Sequence, residues 1–218
     1  CAGRHPQGDC VTRAAQCLAL VSLALLGGCA SQDGSNYAQM WKILRASVAA
    51  GFGDQKITRD QAAAIPYASM GWRVGGGNQM LVVLATDNGG QLMWTSAARI
   101  VLVTRDGRLM RSVGLAHDLG GTTAKGGGNL PAPATALAGA FSSSRLADYP
   151  DTGRYSVPIN CTTRVAGPQA ISILGRALAT IRVDEACSSP SLRWRFTDRY
   201  WIDPKDGTVW RTLQHVHP

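Results

Sequence analysis

The chain has 218 residues, 45% hydrophobic and 17% charged, with 22 Lys and Arg against 14 Asp and Glu for a formal charge of +8. That length supports one domain with a real core, and the basic balance points to anionic neighbours such as lipid headgroups, lipopolysaccharide or an acidic glycan. One apolar run stands near the start and none of comparable length follows it, so a soluble domain is expected rather than a chain with several membrane segments.

The run is Cys17–Leu26, about ten residues and too short for a hydrocarbon core of ~30 Å. Gly27, Gly28 and Cys29 follow it, then the polar stretch Ala30–Ser35. Leu, two small residues and Cys form the bacterial lipobox. The expected organisation is therefore a signal peptide over 1–28, a lipid-anchored tether over 29–36 and a single β-rich domain over 37–218. Cys29 is the expected acylation site, and its lipid is the expected contact with the outer membrane. Two or three acyl chains would hold the protein stably, whereas one would not. Ala30 rather than Asp after the acylated Cys favours the outer membrane, facing the periplasm. Export argues against a nucleic-acid partner.

Residues 37–51 carry Tyr37, Met40, Trp41, Leu44 and Val48 at helical spacing. A second, short helix is signalled by the capping box Thr58–Gln61 and stopped before Pro66. From Tyr67 the pattern is β: strands are expected at 67–74, 80–85, 91–96, 99–104 and 108–115. Asp87–Gly90 and Arg105–Gly107 supply hairpin turns. Residues 116–150 read as a long flexible loop, Gly-rich over 116–130, with a short helix after Pro131 and Pro133. The Gly-rich part lacks the Gly-Lys-Ser/Thr ending of a phosphate loop. Strands resume at 154–159, 171–174, 178–184 and 191–203, and Thr208–His215 returns after the turn Asp203–Gly207.

In the strand 191–203, Leu192, Trp194, Phe196, Tyr200 and Ile202 share one face. Asp198 falls among them, paired with a buried donor or turned outward by a bulge. Arg193, Arg195 and Arg199 share the other face and are candidate anion ligands. The turn register sets Trp201 opposite Trp210.

Six cysteines are present. Cys1, Cys10 and Cys17 leave with the leader, Cys29 is lipidated, and Cys161 and Cys187 remain as a candidate disulfide. A tight turn at Gly175–Arg176 would place Cys187 opposite Thr163 or Arg164, near Cys161 but out of ideal register. A bridge and two buried thiols both stay open.

The order of several segments has a family look: Ile65–Met70, Leu81–Ala85, Trp94–Ser96, Val103–Leu109, Arg111–Leu115, Tyr200–Asp203 and Gly207–Gln214. The chain resembles the YjbF/GfcB family of outer-membrane lipoproteins, linked to group 4 capsule and related exopolysaccharide production. The resemblance implies a mostly β fold, an antiparallel meander sheet curled into a partly open barrel with an N-terminal helix packed on it. It implies a role in polysaccharide secretion and no established enzymatic activity; acidic polysaccharide, which the basic balance already suggests, and other export proteins are the expected partners.

No catalytic set, metal site or cofactor motif emerges. His215 and His217 are two ligands at a chain end where zinc wants three or four, and a fraying polar tail is expected there. Asp184 and Glu185 are adjacent on a strand and point to opposite faces, so they do not flank a sugar. Two other readings follow from the same residues: a half-barrel holding an acyl chain, which needs an open apolar interior, and a glycan-modifying enzyme, which needs two carboxylates facing across a groove.

Overall fold

The computed structural model describes residues 57–218. The expected signal peptide, the Cys29 anchor, the tether and the helix over 37–51 lie outside them. The short helix α1 (Arg59–Ala63) has a reciprocal capping box, in which Thr58 Oγ1 accepts from Gln61 N and Gln61 Oε1 accepts from Thr58 N.

Five strands then form a pure meander, β1 (Ser69–Trp72), β2 (Met80–Asn88), β3 (Gln91–Thr95), β4 (Val101–Arg105) and β5 (Arg108–Val113), paired in chain order. Local turn chemistry fixes this sheet. Gly89 and Gly90 have φ of 57° and 82°, and Asp106 and Gly107 have φ of 51° and 78°. Positive φ at both central residues matches the right-handed twist of a hairpin. Asp87 Oδ1 also accepts from Gly90 N at 2.9 Å.

The second sheet has six strands in the order β13-β12-β11-β8-β7-β6, all antiparallel. They are β6 (Gly121–Ala124), β7 (Phe141–Tyr149), β8 (Arg154–Pro168), β11 (Ile181–Ser189), β12 (Trp194–Ile202) and β13 (Val209–Leu213). A separate hairpin, β9 (Ile171–Ile173) and β10 (Arg176–Leu178), joins β8 to β11. The fold is mostly β, two curled antiparallel half-barrel sheets.

The structure departs from the sequence reading in the segment 116–150. The Gly-rich stretch supplies the edge strand β6, and the serine-rich 141–149 is the paired strand β7. Between them Pro133–Leu137 is a 3-10 helix, whose Ala136 packs with Val183, Tyr200 and Ile202. A second cluster gathers Tyr149, Ile159, Phe196 and the two cysteines on the inner face of the six-stranded sheet. A third holds Val82, Ile100 and Leu102 of the meander. Leu109 packs against both of the last two, so the start of β5 joins the sheets.

Candidate functional site

Two surfaces of the six-stranded sheet carry its polar chemistry. On the inner face, alternation along β11 drives Glu185 inward between Val183 and Cys187, with 0% exposure. Its carboxylate accepts from Arg108 Nη2 at 2.5 Å, Arg145 Nη1 at 3.3 Å, Thr163 Oγ1 at 3.3 Å and Tyr200 Oη at 3.3 Å. Arg145 reaches on to Asp198 Oδ2 at 3.3 Å. Asp198 is therefore buried and paired, the first of its two expected fates. Two guanidinium groups thus face two carboxylates in a site closed to solvent, the condition under which buried charge is tolerated. Burial by itself lowers the Arg108 pKa, but the neighbouring Tyr200, Glu185 and Asp198 outweigh it and hold the pKa raised. Burial pushes Tyr200 well above the usual tyrosine range.

The last residues complete this network. His215 N and Nδ1 lie 2.8 and 3.1 Å from Asp198 Oδ1. Val216 packs on the inner cluster, and His217 stacks on His117 with centroids 4.6 Å apart. Gln214 accepts from Leu109 N and donates to Gly107 O, both at 2.9 Å. The tail is docked rather than frayed, because the buried Asp198 Oδ1 accepts from the His215 backbone and faces its ring. The hydrogen bond to Asp198 raises the His215 pKa from 6.5, against the opposing effects of burial and Arg199.

Cys161 and Cys187 are cross-strand partners with sulfurs 2.07 Å apart, a disulfide. The expected register was off for two reasons. The turn falls at Leu174–Gly175, with φ of 50° and 78°, one residue earlier than expected. A bulge at Arg182/Val183 then shifts the pairing once more. Glu185 lies beside the two sulfurs, but sulfurs bonded to each other are not thiolate ligands.

A cavity of about 20 Å³ beside Arg145, Asp198, Thr122 and Tyr149 has room for one water. An acyl chain does not fit there, and neither does a sugar ring. Glu185 and Asp198 share a face, but Arg145 bridges them and the tail covers them, so they flank no groove.

The outer face holds the expected cations in part. Arg195 and Arg199 are exposed on β12. Arg193 is not on the strand. Pro190 starts a 3-10 turn that ends at Arg193 in the left-handed region, φ 50°. The same corner between β7 and β8 runs from Pro150 to Gly153, φ 63°. Trp201 pairs with Arg211 rather than Trp210, because a bulge after Trp201 makes Trp210 the unpaired residue. The Arg211 guanidinium sits 5.0 Å from the Trp201 ring centroid.

Sequence reasoning passed over Arg108 and Arg145, and weighed Glu185 only beside Asp184 as a carboxylate pair. The signal for Arg145 was its alternation with Ala147 and Tyr149, concealed by three preceding serines.

Fold and site together define a two-sheet β domain, pinned internally by ion pairs and presenting a basic polar outer face. A family described as "Group 4 capsule polysaccharide lipoprotein gfcB, YjbF" matches residues 41–218. The chain belongs to this YjbF/GfcB lipoprotein family. It is 30% identical to the uncharacterized lipoprotein GfcB of Escherichia coli K12 over 193 residues, 87% of this chain and 86% of the relative. It is also 30% identical to the uncharacterized lipoprotein YjbF of Escherichia coli K12 over 169 residues, 74% of each. The crystal structure of the hypothetical lipoprotein YmcC from Escherichia coli K12 superposes with a TM-score of 0.66 at 26% identity, covering 81% of this chain and 89% of that one.

Proposed function

We infer that the protein is a periplasm-facing lipoprotein held in the outer membrane by acylated Cys29, acting without catalysis as an accessory factor in capsule or exopolysaccharide secretion or assembly. The observation that carries this reading is the match to a capsule-polysaccharide lipoprotein family across residues 41–218, behind the lipobox Leu26–Cys29. The filled interior favours binding over lipid carriage, and the covered carboxylates favour binding over glycan cleavage. The disulfide fits an oxidising compartment.

The test is deletion of the gene with measurement of surface polysaccharide, complemented by wild type and by Cys29→Ala. Loss of polysaccharide on deletion, restored by wild type and not by Cys29→Ala, is expected. Undiminished polysaccharide after deletion would remove the role. Metabolic labelling with palmitate should mark the wild type and not Cys29→Ala.

A further inference from the structure

Strand register assembles the outer face of the six-stranded sheet from residues far apart in the chain. One row, read across the strands, is Ser144 on β7, Asn160 on β8, Ser188 on β11 and Arg195 on β12. Lys125, just past β6, extends the row beside Ser144 through its backbone bond to Ser144 O. The row thus places hydroxyl and amide groups between two exposed cations, across four strand spacings or roughly 19 Å. The next row adds Ser142, Thr162 and Thr197. The one beyond it sets Arg164 and Arg199 on either side of Asp184. Asp184 is already engaged by Arg182, with Nε to Oδ1 at 3.0 Å, so the two exposed arginines keep their charge for a ligand.

Between the first two rows lies an open depression of about 350 Å³, lined by Ser142, Ser144, Asn160, Thr162 and Ser188 among others. Among the described residues, no aromatic or branched aliphatic side chain lines it. That composition suits a hydroxyl-rich ligand rather than acyl chains or a hydrophobic protein surface. The flanking guanidinium groups suit carboxylates, which they hold in bidentate fashion.

We propose that this face binds an acidic polysaccharide, its sugar hydroxyls over the Ser/Asn/Thr depression and its carboxylates on Arg164, Arg195 and Arg199. The proposal rests on the polysaccharide-export reading above for its biological ligand. It replaces a stripe along one strand with a patch across several, and it leaves Arg193 out.

The test titrates the acylated protein in detergent with polygalacturonate oligosaccharides, with neutral dextran for comparison. Wild type should bind polygalacturonate, more weakly as salt rises, and should ignore dextran. Arg195→Glu with Arg199→Glu should weaken binding roughly tenfold or more. Arg73→Glu with Arg111→Glu, the same charge change at exposed positions of the meander, should alter it less than about twofold. Where the reversed pair fails to fold, Arg195→Gln with Arg199→Gln should still show a clear loss. Equal losses from both charge-reversed pairs, or no loss from the first, would overturn the proposal. So would a pair that keeps polygalacturonate but loses phosphatidylglycerol vesicles, which would give the face to a membrane. The two readings separate in cells. If polygalacturonate binding depends on Arg195 and Arg199 but gene deletion leaves surface polysaccharide unchanged, the face stands and the export role falls. If deletion abolishes polysaccharide while the Arg195/Arg199 variants bind polygalacturonate as wild type does, the role stands and the face falls.

Discussion

Glu185 is the residue on which the interior turns. It has two buried arginines, a tyrosine and a threonine on one carboxylate. Glu185→Gln leaves both guanidinium groups with the single carboxylate of Asp198. Breaking a buried pair in this way costs about 3–5 kcal/mol, a loss that urea unfolding would register as a lower midpoint. His215 makes a pH prediction with a definite sign. Its pKa is raised in the folded state, so its contribution is complete below the unfolded value near 6.5 and fades as pH rises through the folded value. Melting temperature should therefore fall as pH rises above the unfolded value and through the raised folded one, and His215→Gln should flatten that fall. Arg193 carries a different strain. The matching corner uses Gly153 in the same backbone region, and a non-glycine residue there costs about 1 kcal/mol. Arg193→Gly should raise stability, or leave it level, without altering polygalacturonate binding.

At the scale of elements, the meander was open to inspection because short-range chemistry writes it. Asp87–Gly90 and Asp106–Gly107 dictate hairpins, and Leu81, Val82 and Val83 announce a strand buried on both faces. The edge of the second sheet was not legible. β7 begins Phe-Ser-Ser-Ser and points an arginine inward, so its polar pattern reads as loop until Glu185 is known to lie within its reach on β11. β6 is only four residues within a glycine-rich stretch. The disulfide was legible as a candidate but not in register, since neither the left-handed Leu174 nor the bulge at Arg182/Val183 leaves a mark in the sequence. With a sequence separation of 26 between its cysteines, the bridge is worth about 3 kcal/mol in the chain-entropy model. Cys161→Ala with Cys187→Ala should lose that much, and reductant should shift wild type toward the variant. Gly107 shows how the sheets are fitted together. A Cβ there would meet Val209 Cγ1 at 2.6 Å, at a φ of +78°. Gly107→Ala should cost about 1–3 kcal/mol, measured by the same unfolding curve.

At the scale of the molecule, contacts between residues distant in sequence close the domain. Arg108 ties the meander to Glu185, Gln214 ties it to the chain end, and the tail covers Asp198. Deleting residues 214–218 should expose the inner face and lower stability, seen as added binding of a hydrophobic dye. The family resemblance gave the architecture, whereas the ion network and the basic outer patch emerge only once register is known. Asp198 alone, out of place among apolar neighbours, hinted at the first. Arg195 and Arg199 hinted at the second, though their companions Arg164 and Ser144 come from other strands.

The bond from Leu109 to Gln214 spans 105 residues, and it has a kinetic meaning. Joining points so far apart carries a loop-closure cost that local hairpins avoid, and β folds governed by such contacts mature slowly, in milliseconds to seconds. An interior that seals only when residues 214–216 dock against Leu109 and Asp198 has a built-in delay.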